Sequence, residues 1–405
     1  MISIAEAQHL ILQQTAVLQT EEVQLLEGLG RIISDDIHAP WDMPSADNSA
    51  MDGYTFSHET LQGRYLKVTG FLPAGIERTV PVAPGEAIKI MTGAPIPPGC
   101  DTVVPIEDVE EENDDIRLKS DVWSGSHIRK KGENIRSGEL VIAFGNILGP
   151  PELGMLVSMG LTSLPVYRTP KVAVIATGDE LVEVGSIPTA ATKINSNSYS
   201  IAAQVIETGA KPLMLGIAKD NWGSTREKIM AGLEADLIIT SGGVSAGDRD
   251  HVKEVIQELG GEIMFWKVNM KPGKPFAYAQ LNGKAIFALP GNPVSAMVVF
   301  EQFVRPALLK MMGHVRIFRP VIKATITVPV KNKGERPHLV LSKVSINDGK
   351  YFVETTGDQN SSNLGIMLQA NGIIEVAPGE TICPGAEVVV TLSNREFEMR
   401  HLCQL

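Results

Sequence analysis

Asp236-Leu-Ile-Ile-Thr-Ser-Gly-Gly-Val-Ser-Ala-Gly-Asp-Arg-Asp250 decides how the middle of this chain folds. The apolar run 236–240 reads as a buried strand, the Gly/Ser stretch as a tight loop, and 251–259 as a helix. Outward from it, 172–176, 211–217, 264–268 and 285–288 read as further strands. Segments 198–208, 224–234 and 293–312 carry helical patterns. Val/Ile-rich strands between amphipathic helices predict a three-layer α/β/α domain with a mostly parallel sheet. Ligands of such folds gather beyond the carboxyl ends of the strands.

The chain has 405 residues. At roughly 150 residues per domain, that implies two to four domains. Residues 3–33 show helical periodicity through Ile4, Leu10, Ile11, Val17, Val23, Leu25, Leu26 and Leu29. From about 45 to 145 the pattern changes to short β-like runs broken by Pro and Gly, and 107–115 reads as a solvated acidic hairpin. After Pro320 it is β again, as a small barrel or sandwich. The expected organisation is a multi-domain α/β and β chain: a helical connector (1–45 plus 146–170), a β-rich insertion (46–145), the α/β domain (171–318) and a carboxy-terminal β domain (319–405).

A formal charge of −11 argues against a general nucleic-acid surface, which needs clustered cations. Cys100, Cys383 and Cys403 are too few and too scattered for a disulfide framework or a metal knuckle. No apolar run reaches the roughly 18 residues of a membrane span. A cytoplasmic protein is expected.

Three late loops carry the chemistry. In the first, Ser241, Gly242, Gly243 and Ser245 offer close backbone amides and hydroxyls to an oxyanion. A plain Gly/Ser turn is the simpler alternative. In the second, Pro290, Gly291, Asn292 and Ser295 follow a strand and open a helix, with Asn292 as its cap and free amides for an anion. In the third, Lys267, Lys271 and Lys274 are compressed by Pro272 and Gly273 into a turn, where like charges repel unless an anion or carboxylates offset them. Asp179, Glu180, Asp220 and Asp250 fall at strand ends; any one could be a helix cap, but together they suit Mg²⁺ with phosphates completing its shell. In the β-rich insertion, Asp52 and Thr92 sit in Asn48-Ser-Ala-Met-Asp-Gly-Tyr54 and Ile90-Met-Thr-Gly-Ala-Pro-Ile-Pro-Pro-Gly99, rigid turns that present a carboxylate and a hydroxyl.

These motifs, together with Arg129-Lys-Lys-Gly-Glu-Asn134, Gly178-Asp-Glu-Leu181 and Thr356-Gly-Asp-Gln-Asn-Ser361, occur in the order found in the molybdopterin molybdenumtransferase family, which the chain resembles over essentially its full length. The carboxy-terminal domain of gephyrin is one member. The resemblance implies a homodimer of four-domain subunits, with each active site shared between the α/β domain of one subunit and the β-rich domain of the other. It implies molybdate insertion into adenylylated molybdopterin with Mg²⁺-dependent release of AMP, and a molybdopterin adenylyltransferase as upstream partner. Residue by residue, it gives Asp52 and Thr92 a place in the cross-subunit pocket, and Glu180, Asp220 and Asp250 the metal and phosphoanhydride. Ser245 and its glycines take the nucleotide-side phosphates. Lys267, Lys271, Lys274 and Ser295 face the pterin phosphate or molybdate, and Arg336 and Ser361 contact the oxyanion.

Two positions depart from the family pattern. Asn134 stands where a pocket Asp is usual, so it can orient a ligand but not supply charge. Leu341 replaces an Arg. The rival activities are molybdopterin adenylylation and a non-catalytic gephyrin-like scaffold, and tungstate is an alternative oxyanion.

Overall fold

The computed structural model describes residues 1–244 and 251–393. Ser245 and Asp250, two of the expected site residues, therefore lie outside the described residues. The chain divides into two compact units: Met1–Val23, Glu27–Ser34 and the chain from Pro165 onward form one, Gln24–Leu26 and Asp35–Leu164 the other.

In the larger unit, apolar strands build a six-stranded sheet in the order Lys211–Ala218, Lys171–Thr177, Leu237–Ser241, Lys284–Leu289, Ala277–Leu281, Glu262–Trp266. The first four are parallel to one another, and Ala277–Leu281 runs against the strand on each side of it. Leu237–Ser241 is buried along its whole length, as a central strand covered on both faces must be. Helices Ser196–Glu207, Trp222–Gly232 and His251–Glu258 occupy the connections. Separate apolar clusters contain the alternate residues Val172/Val174 and Ala173/Ile175, the signature of a sheet with a core on each face.

The chain after the sheet runs helically from Pro293 to Met311, but Phe300–Val304 widens to a π turn. Pro306 is the cause: it has no N–H to offer the Gln302 carbonyl four residues earlier. Gln8, on the helix Ile4–Gln14, supplies the missing donor, its Nε2 lying 3.1 Å from the Gln302 oxygen.

Beyond Pro320 the chain closes a five-stranded barrel in the order Val321–Ile326, Lys350–Thr355, His338–Asn347, Gly372–Val376, Glu387–Leu392. The last strand pairs back to the first. Its interior holds Val340, Val353, Ile374 and Val390. Residues of alternate parity, Leu339, Leu341 and Ile373, instead join Phe276, Phe287, Phe300 and Phe303 in the core beneath the sheet. Phe276 and Phe303 stack at 4.8 Å. Burying each such ring is worth about 1.5–3 kcal/mol.

The smaller unit holds another six-stranded sheet, ordered Thr102–Pro105, Gly53–Phe56, Glu86–Ile90, Tyr65–Leu72, Asp115–Leu118, Val109–Glu112. The acidic segment is the expected hairpin, turning at Asn113, which has a positive φ of 56°.

Two sequence expectations are corrected. The helical reading of 3–33 holds only for Ile4–Gln14; Thr20–Gln24 is a strand and Leu25–Gly28 a 3₁₀ turn. Thr15 turns its hydroxyl back to the Ile11 carbonyl, and the Leu18 amide leaves the helical pattern to donate to the Met311 carbonyl. Ala277–Leu281 is a strand that its sequence does not announce: two Ala and a Gln give a weak β signal, and burial between two neighbours confers the conformation.

Candidate functional site

The four parallel strands of the six-stranded sheet in the larger unit end on one polar cavity of about 1000 Å³. Lys171–Thr177 delivers Gly178 and Glu180, Lys211–Ala218 delivers Asp220, Leu237–Ser241 delivers Gly242 and Gly243, and Lys284–Leu289 delivers Pro290, Gly291 and Asn292. Lys271 and Lys274 come from the turn before Ala277–Leu281. Arg336 and Ser361 come from the barrel module.

The glycine loop is shaped by packing against Thr177. Gly242 and Gly243 have φ of +96° and +65°, and a Cβ on Gly242 would lie 2.5 Å from the Thr177 carbonyl oxygen. A side chain is excluded twice, by conformation and by space. The Gly242 amide donates to the Leu289 carbonyl at 3.0 Å, and a Cβ on Gly291 would meet the Gly242 Cα at 3.7 Å. The two loops thus abut backbone to backbone. Ser241, expected to offer its hydroxyl to a ligand, is only 2% exposed; its Oγ accepts from Asn197 and lies 3.5 Å from the Pro290 carbonyl oxygen.

Asn292 occupies the cap position of the following helix but makes no capping bond. Its amide reaches the barrel module instead, Nδ2 donating to Ser361 Oγ at 3.1 Å and Oδ1 accepting from Ser362 Oγ at 3.3 Å. The first-turn amide of Val294 donates to the Ser361 carbonyl, so the helix end is less open to an anion than its sequence implies. Ser295 lines the cavity from this turn and is nearly buried.

The barrel is also tied to the lysine turn. Lys271 donates its amide to the Pro337 carbonyl and accepts from the Leu339 amide, while Arg336 Nη1 donates to the Met270 carbonyl at 2.9 Å. These bonds explain how residues 65 positions apart share one wall. Buried His338 lies beneath it: burial, then the neighbouring charges of Lys271 and Arg336, press its pKa down to about 4. Lys267, by contrast, does not line the cavity; its amide closes onto the Phe276 carbonyl at a φ of +78°.

Among the described residues, Lys193, Lys271, Lys274 and Arg336 make no ion pair although Glu180 and Asp220 line the same cavity. Asp179 and Asp220 instead cap each other's loops, each backbone amide donating to the other's carboxylate at 3.2 and 3.1 Å. Glu180 and Asp220 are hard oxygen donors of the kind Mg²⁺ takes, and among the described residues no cation pairs with them. No group of three metal-ligating side chains occurs among the described residues.

In the smaller unit, Asp52 and Thr92 are brought together: the Asp52 carboxylate accepts from the Thr92 amide at 2.7 Å and its hydroxyl at 2.8 Å. The amide first, then the hydroxyl, holds this carboxyl below its usual range. Asn134 is exposed, its own amide donating to the Met43 carbonyl. Leu341 is 2% exposed in the core shared by sheet and barrel, with Gln359 clamping its backbone N–H and C=O. A charged side chain has no place there.

Sequence reasoning missed Lys193, Asn195, Asn197, Gln359 and Ser362, all in the cavity wall. The one available signal was Asn195-Ser-Asn197 ahead of a helix: Asn195 serves as the cap, its side chain accepting from the Ser198 amide, so Asn197 is left without that duty.

Family comparisons cover nearly the whole chain. Residues 2–160 match the MoeA N-terminal region (domain I and II), 173–310 a probable molybdopterin binding domain, and 323–393 the MoeA C-terminal region (domain IV). A molybdopterin molybdenumtransferase of Haemophilus influenzae is 35% identical, covering 94% of this chain and 98% of its own. One from Nostoc is 34% identical over 92% and 88%. The crystal structure of a molybdopterin biosynthesis MoeA protein from Pyrococcus horikoshii superposes with a TM-score of 0.80 at 30% identity, covering 97% of this chain and all of that one. A cavity built from strand-end glycines, unpaired lysines and two carboxylates, in a chain aligned end to end with these enzymes, leads to one conclusion: the chain belongs to the molybdopterin molybdenumtransferase family.

Proposed function

We propose that this enzyme inserts molybdate into adenylylated molybdopterin and releases AMP, completing a molybdenum cofactor. The observation that carries the proposal is a single cavity in which lysines and carboxylates coexist without pairing. Unpaired charges of both signs suit a ligand that brings anions and a metal with it. The backbone of Gly243 and Gly291, held in place by Gly242, would bind the phosphates of the nucleotide side. Lys271, Lys274 and Arg336, with Ser295 and Ser361, would hold molybdate beside the pterin sulfurs, where proximity and fixed positive charge favour exchange of oxo ligands for thiolates. Glu180 and Asp220, joined by Asp250, would hold Mg²⁺, which when bound offsets charge on the bridging phosphates. No protein nucleophile is required.

The same proposal includes a cytoplasmic homodimer, in which Asp52, Thr92 and Asn134 of one subunit complete the cavity of the other, four domains per subunit, and an upstream adenylyltransferase supplying the substrate. No helix among the described residues is long and apolar enough to cross a membrane. A crystal soaked with AMP and tungstate tests the arrangement. Tungstate should appear among Lys271, Lys274 and Arg336, with the nucleotide phosphate at the glycine loop; an oxyanion bound away from all three cations would contradict it.

A further inference from the structure

We propose that Asn197 is a positioning residue that locks the two phosphate-facing loops together and thereby sets affinity for the nucleotide-bearing end of the substrate. Asn197 lies in the first turn of Ser196–Glu207 and lines the cavity. Its Nδ2 donates to Ser241 Oγ on one loop and to the Gly291 carbonyl on the other, both at 2.8 Å. Because a carbonyl can only accept, the amide orientation is fixed by Gly291. Ser241 relays the link, since its Oγ also reaches the Pro290 carbonyl.

One side chain therefore spans the place where Gly242 and Gly291 abut, and both glycines line the cavity. Asn197 Oδ1 is buried without a partner, a desolvation cost that an apolar residue of similar size would avoid. The side chain is tolerated for its donor end. If the donors are lost, nothing else among the described side chains bonds both loops from the helix. The backbone bond from Gly242 to Leu289 then ties the loops with less help, and phosphate binding has to order them further at its own expense.

The proposal rests on the assignment of the cavity to an adenylylated pterin, so its test separates the two. Asn197→Asp removes the protons facing Ser241 and Gly291 and adds negative charge; Asn197→Leu removes the donors at similar size. AMP and tungstate affinities are measured separately by calorimetry on the full chain, alongside steady-state turnover and thermal melting. Both variants should bind AMP about tenfold or more weakly, as expected when ligand binding must itself order the loops that two neutral hydrogen bonds had fixed. KM for the adenylylated pterin should rise by a similar factor, with kcat and tungstate affinity within about twofold of the parent. Equal loss of AMP and tungstate binding would indicate general collapse and overturn the positioning role. Unchanged AMP affinity in either folded variant would overturn it while leaving the proposed reaction intact. Failure of the unmodified protein to bind AMP at all would overturn both.

Discussion

Lys271 and Gly242 show what single residues contribute to this site. Lys271 is exposed, has no ion-pair partner among the described residues and is anchored through its backbone to the barrel, so its ammonium is offered to a ligand while its position is fixed. Lys271→Met should weaken tungstate binding about 10–100-fold, the range for one lost charge-assisted hydrogen bond, without lowering the melting temperature. Calorimetry beside a thermal melt reads both. Gly242→Ala should act through the fold: with φ at +96° and Thr177 in the way, it should cost more than about 1 kcal/mol in urea unfolding. Both residues were legible in the sequence, because a glycine loop after an apolar strand and a lysine turn broken by Pro and Gly are local signals. Asn197 and Asn292 were not. Whether an Asn caps its own helix or reaches across to another loop depends on tertiary neighbours: the sequence placed Asn292 as a cap, whereas it bonds Ser361 and Ser362.

At the scale of elements, the joints between helix, sheet and barrel carry the predictions. Gln8 satisfies the Gln302 carbonyl that Pro306 leaves open, so Gln8→Ala should cost about 1–2 kcal/mol, read as a lower urea midpoint at unchanged slope. His338, at the start of His338–Asn347, is kept neutral with a pKa of about 4 against an ordinary 6.5. As pH falls below about 6.5 the unfolded chain takes up a proton that the folded chain refuses, so stability drops toward pH 4, by up to about 1.4 kcal/mol per pH unit. His338→Gln should flatten that acid limb in urea titrations; an unaltered limb would remove His338 as its source. Periodicity located the long helices and most central strands. It failed at 277–281, where burial rather than composition makes the strand, and at 15–33, where Leu18 trades a helical bond for one to Met311.

For the whole molecule, the larger unit joins an α/β sheet and a barrel through one core, and the same joint brings Arg336 and Ser361 to the strand-end cavity. The sequence indicated both modules but not their shared core, since alternation marks a buried face without saying what covers it. It also could not explain Leu341, which is apolar because that strand face packs into the common core. The proposed reaction couples nucleotide release to oxyanion capture in that one cavity. It is tested most directly by single-turnover AMP release from adenylylated molybdopterin with Mg²⁺, with and without molybdate, on the unmodified protein and on Lys271→Met. Molybdate-stimulated AMP release is expected, with molybdenum cofactor formed in equal amount, and that stimulation should be lost in Lys271→Met. A folded protein that releases no AMP, or that instead transfers AMP from ATP to molybdopterin, would contradict it.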